Sequence, residues 1–148
     1  MSDVTLRPAT PNDLALTFEI KRQAFRPYIE LAYGWDDEDQ LSRHRAEFDV
    51  RHVRMVRRNG EVVGYLRARL LPQELYVSQV FVVPSHQGEG IGTLCMQMLI
   101  GEARQKGIPV RLQVLKVNPR ALAFYVRLGF TQVGETPTHI QLELQNPT

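Results

Sequence analysis

The residues best suited to chemistry are three glycines, at positions 88, 90 and 92, which follow an apolar stretch that ends at Pro84. The apolar stretch predicts the end of a strand, and the residues after position 90 predict the start of a helix. A glycine-rich turn between a strand and a helix exposes backbone N–H groups at the helix N-terminus, where phosphate binds. We therefore expect residues 87–93 to hold the phosphate groups of a ligand.

Two widespread phosphate-binding motifs do not match this turn. A nucleotide-hydrolysing P-loop has Gly-Lys-Ser/Thr, whereas this chain reads Gly92-Thr93-Leu94 and has no lysine for a terminal phosphate. A dinucleotide-binding fingerprint needs a third glycine where Thr93 stands. The turn therefore predicts neither nucleotide hydrolysis nor dinucleotide binding.

A different pair of motifs fits the chain. Residues 87–92 read Gln-Gly-Glu-Gly-Ile-Gly, which matches the pattern Gln/Arg-x-x-Gly-x-Gly/Ala. The pattern Asn-x-x-Ala-x-x-x-Tyr occurs at Asn118, Ala121 and Tyr125, and Leu-Gly-Phe follows it. With both motifs at the expected separation, the chain resembles the GCN5-related N-acetyltransferase (GNAT) family, most specifically over residues 79–130.

This resemblance implies an enzyme that uses acetyl-CoA as co-substrate and moves its acetyl group to a primary amine by direct attack in a ternary complex. The backbone of Val80, Phe81 and Val82 would pair with the pantetheine arm, and a bulge there would separate two parallel strands and admit the ligand. The other cofactor-binding residues that the resemblance implies are Gln87, Gly88, Glu89, Gly90, Ile91, Gly92, Thr93 and Asn118.

The resemblance makes Tyr125 the catalytic residue, as the acid for the leaving thiolate. A tyrosine has a pKa of about 10 and a thiol of about 8.5, so full proton transfer is uphill by roughly 2 kcal/mol. Tyr125 is therefore expected to act chiefly as a hydrogen-bond donor to the thiolate. A backbone N–H near Val82 would stabilise the oxyanion.

The general base stays open at this stage. The attacking amine must be neutral, but Gln79 and Gln113 stand where some relatives carry glutamate, and a glutamine accepts no proton. The remaining candidates for a relay are Glu30, Asp36, Glu74 and Tyr76.

The acceptor end is predicted in residues 27–36, where aromatic and acidic residues alternate in what reads as a loop after Pro27. Aromatic faces suit a cationic amine, so Tyr28, Tyr33 and Trp35 are the predicted substrate-binding residues, with core packing as the alternative near Tyr33 and Trp35. A small amine, an amino acid and a protein amine all remain open as acceptors. The alternative function is a non-catalytic acyl-CoA-binding or sensing domain of the same fold.

The elements that must position these residues are predicted from hydrophobic periodicity and turn signals. They follow the order β-α-α-β-β-β-α-β-α-β-β, which predicts an α/β fold with a mixed, mainly antiparallel sheet and helices on both faces. Predicted strands cover residues 4–7, 51–58, 61–70, 74–83, 109–117, 130–135 and 139–144. Predicted helices cover residues 11–27, 36–48, 91–107 and 119–128.

Length and composition set the remaining expectations. The chain has 148 residues and a formal net charge of +2, which is typical of one domain over residues 1–148 and not of a general nucleic-acid binder. Its single cysteine, Cys95, forms no disulfide within the chain, and no apolar segment is long enough for a signal peptide or a membrane span. We expect a cytoplasmic protein without a metal, nucleic-acid or membrane partner, and by analogy with the family a homodimer.

Overall fold

The computed structural model describes residues 3–145, and the order of its elements confirms the predicted one. The strands are β1 (Val4–Pro8), β2 (Val53–Arg58), β3 (Glu61–Leu70), β4 (Leu75–Val82), β5 (Val110–Leu115), β6 (Thr131–Glu135) and β7 (His139–Leu144). The helices are α1 (Leu14–Ala32), α2 (Asp37–Glu47), α3 (Ile91–Lys106) and α4 (Pro119–Arg127), and single 3-10 turns lie at Pro11–Asp13 and Pro84–His86.

The strands form one mixed sheet in the order β1-β2-β3-β4-β5-β7-β6. Only the β4–β5 pair is parallel, so the sheet is mainly antiparallel, as predicted. Successive residues of a strand face opposite sides of a sheet, and the neighbours Met55 and Val56 accordingly belong to two different apolar clusters. One cluster contains Ile20 of α1 and the other contains Leu99 of α3, so helices cover both faces.

Local sequence signals set several boundaries of these elements. Asn59 and Gly60 both have positive φ, which the two-residue hairpin turn between β2 and β3 requires. The Asp36 carboxylate accepts the N–H of Asp39 and caps α2, whose first turn is acidic. Gly107 ends α3 in the left-handed conformation.

Two strands are shorter than predicted because polar turns replace their ends. The Asp49 carboxylate accepts the backbone N–H of Arg51, so β2 begins at Val53 and not at residue 51. The N–H of Asn118 donates to the carbonyl of Leu115, which closes a turn and ends β5 two residues early.

The first helix is longer than predicted. It continues through Pro27 to Ala32, so Tyr28 lies on a helix and not in a loop. A proline inside a helix removes one backbone hydrogen bond and crowds the preceding turn, at a cost of about 3 kcal/mol. From the sequence, Pro27 is expected to kink or end the helix, and the structure shows that it does not end it.

Tertiary packing on both sides of the proline explains why α1 continues. The Phe25 ring lies 4.9 Å from the ring of Phe81 on β4, and Ile29 is buried one turn later. Ile29 lies beyond the proline, so it reaches this buried position only if the helix continues, and a local sequence pattern does not reveal that packing. Within residues 3–145, no helix is both long enough and apolar enough to cross a membrane.

Candidate functional site

The site begins where the two parallel strands separate. Strands β4 and β5 pair only at Leu75 with Val110 and at Tyr76 with Arg111, although both strands continue for several more residues. The β3–β4 register shifts between Arg67 and Ala68, which leaves Ser78 as an extra residue in β4. This bulge bends β4 away from β5, so the predicted opening between parallel strands is present.

A cleft of about 710 Å³ occupies the gap between the separated strands. The lining includes most of the predicted co-substrate-binding residues, namely Val80, Phe81, Val82, Gln87, Gly88, Gly90, Ile91, Gly92, Thr93 and Asn118, together with Tyr125. We call the side formed by residues 80–82, residues 87–93 and α4 the glycine wall. A second part of the lining is formed by Lys21, Phe25, Tyr28 and Ile29 of α1 with Glu47 of α2, and we call it the α1 wall.

The backbone edge of β4 is open toward this cleft. The N–H of Val83 donates to the carbonyl of Val63 on β3 at 2.9 Å. Because successive N–H groups of a strand point to opposite edges, the N–H of Val82 points to the cleft side. A free donor at this position suits an extended ligand or a developing negative charge.

The glycine turn leaves the start of α3 open. Gly88 and Gly90 both have a φ of 80°, a conformation that other residues adopt only with strain. Gly90 occupies the N-cap position, where no side chain caps the helix. The N–H groups of the first helical turn, over residues 91–93, therefore lack a partner within the helix and are available to an anion.

Two polar side chains of this segment have structural roles. Gln87 donates from Nε2 to the Val82 carbonyl at 2.9 Å, which ties the glycine turn to the end of β4. The Glu89 carboxylate instead contacts His86 and Arg58, and these contacts hold its pKa below the ordinary value. Glu89 is absent from the described cleft lining, so only its backbone N–H would contribute to the predicted binding of the co-substrate.

Helix α4 contributes the second predicted motif. Asn118 caps this helix by accepting the N–H of Ala121 at 3.2 Å, and it also lines the cleft. Tyr125 packs edge-on against Phe124 and Phe130, with ring centroids 4.9 and 5.5 Å away. Its hydroxyl makes no hydrogen bond to any residue in the range 3–145, so it is free to meet a ligand in the cleft.

Burial raises the pKa of the Tyr125 phenol, with a smaller contribution from the neighbouring Cys95. Tyr125 therefore stays protonated at neutral pH and donates a hydrogen bond. Burial also raises the pKa of the Cys95 thiol to about 11, which keeps this fully buried side chain in its unreactive form.

Most of the candidate residues for a proton relay form ion pairs or a helix cap. Glu30 pairs with Arg26 one turn away on α1, Asp36 caps α2, and Glu74 lies 3.7 Å from Arg111. Tyr76 lines the cleft, as do the two glutamines at positions 79 and 113. Among the lining residues that the structure describes, Glu47 is the sole carboxylate, and the sequence analysis did not single it out.

The predicted acceptor residues separate in the structure. Tyr28 lines the cleft, because the longer α1 brings it onto that face. Tyr33 instead donates a hydrogen bond from its exposed hydroxyl to Thr138 at 2.8 Å. Trp35 donates to Asp37 and stacks beside Phe18, so neither Tyr33 nor Trp35 belongs to the described lining.

The sequence analysis also missed Lys21, which lies on the cleft side of α1. A lysine on an amphipathic helix is usually exposed, and nothing in the local sequence marks this one as buried. As for metals, residues 3–145 contain no group of three or more His, Cys, Asp or Glu side chains that could hold an ion.

Comparison with known proteins agrees with this arrangement. The profile of the Acetyltransferase (GNAT) family matches residues 15–130. The chain is 30% identical over 135 residues to mycothiol acetyltransferase of Thermomonospora curvata, covering 87% of this chain and 44% of that protein. It is also 30% identical over 146 residues to L-methionine sulfoximine/L-methionine sulfone acetyltransferase of Salmonella typhimurium, covering 90% of this chain and 84% of that protein.

Solved structures share the fold at lower sequence identity. The PaiA N-acetyltransferase of Thermoplasma acidophilum, in complex with coenzyme A, superposes with a TM-score of 0.78 at 16% identity, over 98% of this chain and 99% of that one. The ribosomal-protein-S18-alanine N-acetyltransferase of Escherichia coli gives 0.76 at 20% identity, over 98% and 95%. The chain spans about half the length of the first curated relatives it matches, for example 44% and 54%.

Proposed function

Because this chain belongs to the acetyltransferase (GNAT) family, we propose that it is an N-acetyltransferase that uses acetyl-CoA and acetylates a primary amine in a ternary complex. One observation carries the proposal. The gap between β4 and β5, the uncapped start of α3 and the free hydroxyl of Tyr125 all open into the same cleft. Acetyl-CoA, when bound there, supplies an acetyl group activated as a thioester.

The glycine wall fits the two ends of such a ligand. The N–H groups over residues 88–93 suit the pyrophosphate, because Gly88 and Gly90 bring the backbone close and the dipole of α3 favours negative charge. The open edge of β4 suits the pantetheine amides, which bond as a further strand would. Arg120 and Arg127 also line the cleft and add positive charge near its mouth.

At the reacting end, this chain offers two hydrogen-bond donors. The Val82 N–H points to the cleft side of β4 and stabilises negative charge that develops on a carbonyl oxygen. The Tyr125 hydroxyl donates to the leaving sulfur. Since burial raises the pKa of Tyr125, a strong hydrogen bond is favoured over complete transfer of its proton.

A non-catalytic acyl-CoA-binding domain would need the glycine turn but not, beside it, a half-buried phenol whose hydroxyl has no hydrogen-bond partner among residues 3–145. The position of Tyr125 therefore favours the enzyme. The relatives named above differ in the acceptors that their names state, so a small amine, an amino acid and a protein amine all remain within the proposal.

The first experiment is a thermal-shift titration with acetyl-CoA, free CoA and ATP, followed by a thiol-release assay with a panel of amines. A ligand at 100 times its Kd stabilises the folded state by about 2.7 kcal/mol, which raises the Tm by several degrees. We expect shifts with acetyl-CoA and CoA but not with ATP, and thiol release with at least one amine. Binding without any thiol release would support the non-catalytic alternative.

We also propose that residues 1–148 form one domain that works in the cytoplasm as a homodimer. The buried free thiol of Cys95 is compatible with a reducing compartment. The edge strand β6 exposes Val133, and an exposed strand edge is a surface where a second copy can pair. Sedimentation of the purified chain measures its oligomeric state directly.

A further inference from the structure

Lys21 lines the cleft from α1 although it is only 5% exposed. Its ammonium forms no hydrogen bond and no ion pair with any side chain or carbonyl of residues 3–145. Most of the Lys21 side chain is withdrawn from solvent, which costs hydration that no protein anion replaces, while its Nζ atom keeps some accessible surface. The open side of this ammonium is the cleft, so a ligand in the cleft is placed to supply the missing anion.

The surroundings of Lys21 disfavour its charged form, because burial lowers the pKa of the ammonium and the nearby Arg43 lowers it further, so an anionic ligand would stabilise the charge. His44 is buried close by, hydrogen-bonded through Nε2 to Thr17 at 2.8 Å, and burial together with Lys21 lowers its pKa to about 4. His44 is therefore neutral at physiological pH, and Arg43 adds further positive charge. The one opposing charge is that of Glu47, which is exposed, lines the same cleft and lies beyond ion-pair distance from Lys21.

Lys21 lines the same cleft in which the acetyl group would lie. It is one helical turn before Phe25, and side chains four residues apart on a helix are about 5–6 Å apart at their Cβ atoms. The Phe25 ring contacts the ring of Phe81, which is flanked on β4 by Val80 and Val82. Lys21 and Val82 therefore line the same cleft from α1 and from β4, and a carboxylate held by Lys21 would share this cleft with the thioester.

We propose that the acceptor is a free α-amino acid whose carboxylate binds the Lys21 ammonium. This inference rests on the proposed N-acetyltransferase function and names the acceptor for it. Lys21 and Glu47 place a cation and an anion in one cleft, which complements a zwitterion with its carboxylate at Lys21 and its ammonium at Glu47. Phe25, Tyr28 and Ile29 supply an apolar surface beside them, so an apolar side chain is favoured.

The proposed reaction balances without a further reactant. The ammonium loses one proton to solvent and becomes a neutral amine, whose nitrogen forms the new bond to the acetyl carbon. The carbon–sulfur bond breaks, and the thiolate leaves with the electron pair while accepting a hydrogen bond from Tyr125. The second amine proton passes to solvent or to the sulfur, which gives free CoA and an N-acetyl amino acid.

Matched pairs of acceptors test the proposal. Each pair consists of an amino acid and the amine that lacks its carboxylate, such as phenylalanine with phenethylamine, leucine with isoamylamine, and tyrosine with tyramine. Thiol release gives kcat/KM for both members of a pair. We expect the wild type to prefer the amino acid by about 10- to 100-fold, the size of one charge-assisted hydrogen bond.

The variant Lys21→Met removes the ammonium and keeps an unbranched side chain of similar length. It should reduce the preference to within about threefold, mainly through a higher KM for the amino acid, while Lys21→Arg retains most of it. Lys106→Met, at the exposed end of α3, is the matched control and should leave the ratio unchanged. Because the readout is a ratio within one protein sample, partial loss of folded enzyme does not change it.

Stability supplies a second readout. Removing a buried, unpartnered ammonium should leave the Tm of Lys21→Met equal to or above that of the wild type, and the shift with acetyl-CoA should be retained. A Tm lowered by several degrees would make Lys21 a structural residue and overturn the proposal. Thiol release without carboxylate preference, or only with peptide amines, overturns it and leaves the proposed function intact. Absence of both acetyl-CoA binding and thiol release overturns both.

Discussion

The glycine wall and the α1 wall line one cleft, but they build their sites by different means. The glycine wall presents mainly backbone N–H groups, from the edge of β4 and the start of α3. The α1 wall presents side chains, with Lys21 and Glu47 as its charged members. Main-chain donors suit groups that all the relatives share, whereas side chains can change one at a time and so suit a variable acceptor.

The difference also determines how visible each wall is in the sequence. A backbone site needs glycine at positions with positive φ, such as Gly88 and Gly90, so it can be recognised from the spacing of glycines in the sequence. A side-chain site on a helix needs only the right residue on the right face. Lys21 satisfies that need without any local signal.

The largest effect should come from a change in the glycine wall. Gly90→Glu introduces strain at a φ of 80° and puts a negative charge at the start of α3. We expect the affinity for acetyl-CoA to fall by at least about 100-fold, because several charge-assisted hydrogen bonds are lost. Calorimetric titration measures the affinity, and Gly101→Glu on the same helix, where an added Cβ meets nothing within 4 Å, is the control. Unchanged affinity would contradict the placement of the pyrophosphate.

A smaller effect is expected where the glycine wall uses a side chain. Tyr125→Phe should lower kcat by about 10- to 100-fold and leave the affinity for acetyl-CoA within about twofold, because the hydroxyl acts on the leaving sulfur. Tyr33→Phe makes the same chemical change outside the described cleft lining and should leave kcat unaffected. Equal kcat for the two variants would remove Tyr125 from the mechanism.

A third prediction concerns Gly64 and the close packing of β3 against β4, the strand that carries residues 80–82 of the glycine wall. A Cβ at this position of β3 would overlap the carbonyl oxygen of Phe81, whose ring contacts both Phe25 and Tyr65. Gly64→Ala should destabilise the fold by about 1 to 3 kcal/mol, as overpacking typically does. Chemical denaturation measures the loss, with Gly101→Ala as the control. A Gly64→Ala variant as stable as the wild type would mean that β3 and β4 can separate without cost.

The smallest expected effect is on the free energy of unfolding at acid pH, and it comes from His44 of α2. The pKa of His44 is lowered to about 4, mainly by burial, so between pH 6.5 and pH 4 the unfolded chain binds a proton that the folded chain does not. His44 should therefore reduce stability as the pH falls through this range, by about 1 to 2 kcal/mol at pH 5 relative to pH 8.

Unfolding of the wild type and of His44→Gln at both pH values isolates this contribution. The variant should lose less stability than the wild type between pH 8 and pH 5, whatever its stability at pH 8. Equal losses in the two proteins would show that His44 does not stay neutral in the folded state.

The elements were predictable where local chemistry decides them. The Asn59–Gly60 turn, the Asp36 cap and the Gly107 stop need only their immediate neighbours, and the structure has each as predicted. The continuation of α1 past Pro27 was not predictable, because it depends on the burial of Ile29 against the rest of the fold. Tyr33 and Trp35 lie outside the described cleft lining because tertiary packing gives them other partners, and their binding role stays a prediction.

The sequence by itself determined the order of the elements and the family, together with the location of the glycine turn and of the Asn118–Tyr125 motif. Glycine, proline and capping residues act over a few positions, so their effect can be predicted from the local sequence. Only the tertiary structure decided which side chains face the cleft. The burial of Lys21 beside His44, and the presence of Glu47 in the same cleft, follow from how α1 and α2 pack on the sheet. Helical periodicity gives the face of a helix but not what that face meets.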